Sequence, residues 1–423
     1  MLESHYHTVI IGAGPAGLMA GVEAFNPKHS IVILEKMHKT GIKLRISGKG
    51  RCNITNEEDM QSFLNRFGKK GRFLKYAFSQ FFNHDLLNYL NEMGVPTKLE
   101  RGGRYFPQSD RATDIVEAFE KKLRELKVPI AMKAHVTGLS RNNEGHFVLM
   151  VKQGAHETQL LADQVCITCG GLGYPATGST GEGYSMAQTF GHTIVDTAPS
   201  LVPVLTAGDI AKRAQGLSLR NISVSIWNDN KKETEMFGEM MFTRKGLTGP
   251  IILTLSETLV AMLDSQKKVH IKIDLKPALD HKKLDQRLLR ELSENSKQNF
   301  RRLLKSLLPI KLIDLFVDLL EIDPEKKLHQ ITGEERKRLR MLLKEFPMDV
   351  IGHDSYDHAI VTSGGVSLKE IDPTTMESKL VPRLYFAGEV IDVNGETGGY
   401  NLTSSWSTGF LAGRSMRNHD LEV

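Results

Sequence analysis

The chain opens on a polar stretch that turns abruptly apolar. Residues 6–11 (YHTVII) are rich in β-branched side chains, which predicts a short buried strand. Three glycines follow. Small and apolar side chains at Leu18, Ala20, Val22 and Ala24 then predict a closely packed helix. Residues 30–36 (SIVILEK) read as a second strand that closes on Glu35. Farther on, Ile115, Val116, Phe119 and Leu123 recur at helical spacing within 111–126, and 135–154 reads as strand, turn and strand. From about 197 to 275 the pattern shortens to alternating strands such as ISVSIW and VHIKIDL. From 280 to 346 it is helical and charged. Leu303, Leu304, Leu307 and Leu308 share a face that breaks at Pro309, and Thr332 with Glu335 forms a capping box. Residues 359–366 (AIVTSGGV) return to the first pattern. A strand at 384–387 and a helix from about 401 to 412 end the chain's periodic part. Internal repeats and low-complexity tracts are absent.

Composition narrows the class. With 423 residues the chain is long enough for two or three domains. The balance of 40% hydrophobic and 25% charged residues is that of a globular protein. No run of 18 apolar residues suggests a membrane span, and the N-terminus lacks the basic start of a signal peptide. Three cysteines do not make a disulfide framework, so a reducing cytoplasm is expected. The net charge of +5 tolerates an anionic cofactor or partner without identifying one.

Chemistry concentrates at the two ends. Gly12, Gly14 and Gly17, with Ala13, Pro15 and Ala16 between them, make a G-x-G-x-x-G turn between a strand and a helix. The first glycine permits the tight turn, the second admits a pyrophosphate, and the third lets helix and strand pack closely. The helix N-terminus offers N–H groups and positive dipole to phosphates. Glu35 stands where an acid accepts ribose hydroxyls, and its charge disfavours a 2′-phosphate. The dinucleotide is therefore FAD or NAD. At the far end Gly388 and Glu389 follow a strand. Asp392 lies near, and Gly398 and Gly399 open a helix through Tyr400, Asn401 and Leu402. Leu402, Ser405, Thr408 and Gly409 suit close packing of that helix. A second helix N-terminus and acid, far from the first, favour FAD. Asp392 is expected on the ribityl chain or a phosphate-side hydroxyl, and the helix N-terminus at the flavin N1–C2=O edge.

Long motifs add a resemblance. SGKGRCNITN (47–56), GRYFPQSDRA (103–112), GEMMFTRKGLTGPIILTLS (238–256), TMESK (375–379) and YFAGEVIDVNGETGGYNL (385–402) occur in order over nearly the whole chain. They resemble the bacterial flavoproteins labelled NAD(FAD)-utilizing dehydrogenases, which include aminoacetone-oxidase-like and bile-acid-reductase-like members. The resemblance implies an α/β fold: a Rossmann-like FAD-binding domain of the glutathione-reductase class with an inserted β-barrel-like domain and a small helical domain. The expected bounds are 1–195 for the first FAD-domain segment, 196–279 for the barrel, 280–346 for the helices and 347–423 for the return. It also implies a backbone contact from Val136 to adenine and places Thr168, Cys169 and Gly170 by the cofactor.

Further candidates lie between the ends. Lys36 and Lys43 are expected near the cofactor. Ser47, Gly48, Gly50, Arg51 and Asn53 read as a polar cradle, with Cys52 as a small filler rather than a thiolate, because it has no partner at dithiol spacing. CITC (166–169) lacks the further ligands zinc needs, and both cysteines read as packing residues in a strand. GGLGYPA (170–176) mimics a second nucleotide fingerprint, but Pro175 forbids a helix directly at the turn. The segment therefore reads as part of the FAD domain, with a helix starting near Gly181. Arg104, Tyr105, His353 and Tyr356 are candidates for a substrate cleft. Arg244 stands where the resembling family commonly has histidine.

The leading functional expectation is an FAD-dependent oxidoreductase that passes hydride from NADH or NADPH through flavin N5 to a small organic acceptor. An amine oxidase producing peroxide is the alternative within enzymes. An RNA-associated flavoprotein is the alternative outside small-molecule chemistry, resting on basic segments at 68–76, 297–311 and 336–344. The last two alternate charge with apolar residues and read as solvated faces of packed helices. No metal is expected.

Overall fold

The computed structural model describes residues 2–419, so the last four residues of the expected 347–423 segment lie outside it. The chain divides into two compact units, Met1–Ser200 with Tyr356–Val423, and Leu201–Ser355. Each has its own buried apolar core.

The first unit is built on a seven-stranded sheet. Strand β1 (His5–Ile11) lies at its centre, and β2 (Ile31–Glu35) pairs with it in parallel, with Ile11 opposite Leu34. The Ile130–Met132 strand extends the sheet beyond β2. On the other side of β1 the long His156–Ile167 strand runs parallel to it and carries Leu384–Phe386, also parallel. The strands Phe147–Gln153 and His135–Arg141 then continue antiparallel. β2 is buried along its whole length, as its unbroken apolar run requires of a parallel strand covered on both faces.

Helix α1 (Pro15–Glu23) follows β1 directly, with Gly14 as N-cap and Pro15 in the first turn. The last helix, Tyr400–Asn418, packs along α1 and runs six residues beyond the expected end at 412, with Met416 buried. A Cβ on Gly409 would stand 2.4 Å from the Ala16 carbonyl oxygen, so only glycine allows this approach. Trp406 stacks on Phe119 of the Ala112–Glu125 helix at 4.8 Å between ring centroids. The expected end of the first FAD-domain segment at 195 falls inside a strand, Ile194–Ser200, which pairs antiparallel with Val361–Val366 of the returning chain.

The second unit is a closed antiparallel barrel. Its strands run in the order Val204–Thr206, Gly246–Thr248, Lys231–Phe242, Ser218–Asn228, Val269–Asp274 and Phe346–His353. The charged helices of 280–344 do not form a core of their own. Leu284, Leu288, Leu303, Leu304, Leu312 and Phe316 belong to the same buried cluster as the barrel's Val224, Ile226, Ile271 and Phe346. Phe316 stacks on Phe346 at 5.5 Å. The barrel's last strand extends past the expected return at 347 because its alternating residues Phe346, Met348 and Val350 face inward.

Candidate functional site: a dinucleotide cavity at the strand ends

The carboxyl ends of the parallel strands open into a cavity of about 490 Å³, within the range typical of small-molecule sites. Its floor is the first glycine turn. Gly12 takes φ +105° and donates its N–H to the Leu34 carbonyl at 2.8 Å. A Cβ on Gly17 would sit 1.9 Å from the Gly12 carbonyl oxygen, whereas one on Gly14 would meet no protein atom within 4 Å. The third glycine thus serves helix–strand packing, and the second leaves open space over the helix N-terminus. That space, with the free N–H groups of α1's first turn, fits a pyrophosphate.

Glu35 lines the same cavity from the end of β2. Its Oε2 accepts the Ala13 N–H and its Oε1 accepts the Met37 N–H, each at 2.8 Å. Two backbone donors fix the carboxylate in place and leave lone pairs for ribose hydroxyls.

Gly12, Gly14, Pro15, Ala16, Glu35, Lys36, Lys43, Ser47, Gly48, Val136, Thr168, Cys169, Gly170, Gly388, Glu389, Asn401 and Leu402 all line this one cavity. Residues from both chain ends therefore converge on it. Lys43 Nζ pairs with Glu389 Oε2 at 2.6 Å, while Glu389 Oε1 accepts the Thr362 N–H at 3.0 Å. Lys36 Nζ pairs with Glu182 Oε1 at 2.6 Å. Burial pushes the Glu182 carboxyl up, but the Lys36 and Thr180 hydrogen bonds outweigh it and hold it below the usual range. Both lysines are thus compensated, so these ion pairs add no large excess charge to a mostly apolar wall.

Other expected contacts stand behind the wall. Ala13 is engaged with Glu35 and Gly17 with the Gly12 carbonyl. Arg51 faces away: its guanidinium bonds Asp110 at 2.7 Å, pairs with Glu100 and lies over the Phe106 ring. Gly50 and Cys52 turn the loop at positive φ, and Cys52 is fully buried. Burial pushes its thiol up to about 12, so it is a protonated filler. Asn53 lies against Gly48, with its Oδ1 buried and unpartnered among the described residues. Asp392, expected on the ribityl chain or a phosphate-side hydroxyl, is paired with Lys70 Nζ at 2.7 Å and stands beside the wall residue Val393 rather than on the wall itself. The Gly398 carbonyl accepts from Asn56 at 3.2 Å. Gly399 abuts the Thr55 backbone. The Tyr400 ring packs edge-on against Phe63 at 4.7 Å. These three set the start of the last helix rather than the wall.

Cys169 stands two residues past the end of its strand, not within it, and its thiol is pushed up to about 12 by burial. The glycine-rich turn after it supplies wall residues that motif spacing alone did not single out: Tyr174, Thr177, Gly178 and Ser179. GGLGYPA contributes Gly170 and Tyr174 to the wall, and the residues directly after it contribute the other three. Pro175 forms a short 3₁₀ turn, and the helix begins at Glu182. Ser404 and Ser405, one turn into the last helix, also face the cavity. Of the cleft candidates, Arg104 is exposed and Tyr105 half-buried on the Arg104–Pro107 strand, outside the cavity wall. Tyr356 accepts the Tyr174 N–H on its carbonyl at 2.9 Å. His353 ends a barrel strand, bonded through Nδ1 to the Asp354 carbonyl at 2.9 Å.

A family model described as the HI0933-like protein Rossmann domain matches residues 6–415. The chain belongs to the HI0933-like family. Two relatives of similar length carry the names of enzymes. The 3-dehydro-bile acid delta(4,6)-reductase of Clostridium scindens is 30% identical over 408 residues, covering 96% of this chain and 98% of that protein. The ribosomal RNA dihydrouridine synthase of Haemophilus influenzae is 29% identical over 415 residues, covering 98% and 99%. Among solved structures, the 3-ketosteroid delta1-dehydrogenase of Sterolibacterium denitrificans has a TM-score of 0.53 at 13% identity, covering 99% of this chain and all of that one, which supports the fold. This HI0933-like chain is therefore an FAD-dependent oxidoreductase, and the cavity with its glycine turn, Glu35 and the two helix N-termini fits the cofactor. None of its described helices is long and apolar enough to cross a membrane.

Proposed function

We propose that this protein is a reductase that uses NADH or NADPH to saturate an activated carbon–carbon double bond in an organic acceptor. The observation that carries it is the convergence of both chain ends on one dinucleotide cavity, in a chain that is similar over nearly its full length to an enzyme named as a reductase. Bound FAD would supply two-electron chemistry between a nicotinamide donor and the acceptor. The protein holds and biases that chemistry. The first turn of α1 and Glu35 would hold the pyrophosphate and ribose. Asn401 and Leu402 bring the N-terminus of the last helix to the wall, where its dipole favours negative charge on a reduced ring. Cys169, with its thiol protonated, gives an apolar, non-nucleophilic contact.

Anaerobic addition of NADH and then NADPH to the purified flavoprotein tests the reading. Bleaching of the flavin band by one of them names the donor. A flavin that stays oxidised with both would turn the assignment to the amine oxidase, which peroxide formation with amines would identify.

A second reading, in which the acceptor is a base in RNA, is favoured by charge. Residues 201–355 hold 27 Lys and Arg against 22 Asp and Glu, so the whole net charge of +5 resides in the barrel unit and the rest of the chain is balanced. Reoxidation of the reduced flavin by an unmodified ribosomal RNA transcript, but not by an unsaturated steroid ketone, would select it; the reverse would select the small acceptor.

A further inference from the structure

The far end of the central sheet carries a cluster of side chains that the flavin site does not use. β1 begins with His5 and His7, which share one face because alternate residues of a strand point the same way. Tyr6 and Thr8, between and after them, are buried on the other face. The neighbouring His156–Ile167 strand pairs Tyr6 with Ala162 and Thr8 with Gln164, which brings Asp163 level with His7. The next strand pairs Phe147 with Ala162, which brings His146, just before it, beside Asp163. Three adjacent strands thus assemble one row of histidines around a single carboxylate.

The contacts are close. His5 Nε2 is 2.8 Å and His146 Nδ1 2.9 Å from the same oxygen, Asp163 Oδ1. His7 Nδ1 is 3.1 Å from the other oxygen, Oδ2, and its ring stacks on His29 at 4.0 Å. The rings of His5 and His146 meet edge-on at 5.1 Å. One ligand atom from each of His5, His146 and Asp163 lies within 4.8 Å of the others. Burial pushes the Asp163 carboxyl up, but hydrogen bonds from the histidines more than offset it, so the carboxylate is ionised at neutral pH.

We propose that His5, His146 and Asp163 form a binding site for a divalent transition-metal ion of the zinc class, with His7 orienting the carboxylate. Two imidazole nitrogens and one carboxylate oxygen are the donor types that such an ion prefers, and three protein ligands leave a position for water. Bonds of about 2.0–2.2 Å place ligand atoms roughly 3.3 Å apart in a tetrahedron, so each histidine nitrogen has to draw back from Asp163 Oδ1 by about half an ångström. No proton has to leave the protein. The N–H on His5 Nε2 moves to its Nδ1 and the N–H on His146 Nδ1 moves to its Nε2, through solvent, and each freed lone pair meets the metal. His7 keeps its hydrogen bond to Oδ2, the kind of outer contact that fixes a ligating carboxylate. The site lies six residues down β1 from Ile11 at the cavity, roughly 20 Å at about 3.3 Å per residue. It is therefore separate from the flavin chemistry and serves to join three strands at the sheet's open end.

The test uses untagged, flavin-loaded protein stripped of metal, with zinc chloride alone as probe. Wild type, His146→Ala, Asp163→Asn and His7→Ala are compared by competition with a chelating dye and by metal content after gel filtration. Flavin-to-protein ratio and circular dichroism report folding. The expected result is one equivalent of Zn²⁺ in the wild type and a rise in melting temperature on adding it. His146→Ala and Asp163→Asn, with flavin and fold retained, should lose the equivalent, and His7→Ala should bind at least tenfold more weakly. Wild-type protein that retains no zinc, or variants that retain as much as wild type, would overturn the proposal. Should Asp163→Asn misfold, His5→Gln near the chain start reads the same site.

Discussion

At the scale of single residues, the two inner glycines of the first turn predict different defects. Gly17→Ala drives a methyl group into the Gly12 carbonyl. It should yield little folded flavoprotein, seen as a collapse of soluble yield and of the flavin-to-protein ratio. Gly14→Ala meets no protein atom, so the chain should fold with normal circular dichroism yet bind FAD at least tenfold more weakly, because its methyl enters the space meant for phosphate. Normal FAD affinity in Gly14→Ala would remove the pyrophosphate from that spot.

A second residue-scale prediction concerns pH. His192 is buried, its Nδ1 3.2 Å from Glu370 and its Nε2 2.8 Å from the Ser378 hydroxyl. A neutral ring donates to the carboxylate through Nδ1 and accepts from Ser378 at Nε2, which satisfies both nitrogens. Burial lowers the tendency to protonate, and Glu370 offsets this only in part. The folded state then resists a proton that the unfolded state takes up at about pH 6.5. This contribution to stability is present above that pH and is lost as the pH falls below it. Thermal melts from pH 7.5 to 5 should show a steeper decline for wild type than for His192→Gln, whose amide can make both contacts without titrating. Parallel declines would exclude His192 as the source.

At the scale of elements, the placement of the last helix decides the cavity. Gly399 caps it against the Thr55 backbone, and Thr403 Oγ1 bonds Thr55 Oγ1 at 2.7 Å and the Gly399 carbonyl at 3.0 Å. Thr403→Val leaves the buried Thr55 hydroxyl without that partner. It should cost about 1–3 kcal/mol in denaturant unfolding and weaken flavin retention, since the helix start loses its anchor. The glycine pairs at both ends, the acid at Glu35 and the strands around them were legible because each rests on local chemistry. The helix end was not. The pattern weakens after Ala412, and the extra turns persist because Met416 is buried in the core. Asp392 shows the same limit: its proximity to the glycines is sequential, but Lys70, 322 residues earlier, takes its carboxylate.

At the scale of the molecule, two cores predict two thermal transitions. The cavity proposed for FAD is walled only by the first unit, so adding FAD to apoprotein should raise one calorimetric transition and leave the other within about 1 °C. A single transition that shifts as a whole would show that the units unfold as one. The charge asymmetry belongs to this scale too. It resides in the barrel unit, yet many of those cations are already paired, as Arg336 and Arg340 are with Asp285. RNA affinity, if present, should fall steeply between 50 and 200 mM salt, about tenfold or more for each two phosphates engaged.

The amino-acid sequence by itself determined the dinucleotide turn, the succession of strands and helices, and a barrel-like insertion, because those follow from periodicity, glycine stereochemistry and caps within a few residues of one another. Tertiary structure alone decided which residues reach the cavity and which stand behind it, that barrel and helices share one core, and that His5, His146 and Asp163 meet. Those outcomes depend on strand register and long-range packing, in which a shift of one residue turns a side chain to the opposite face.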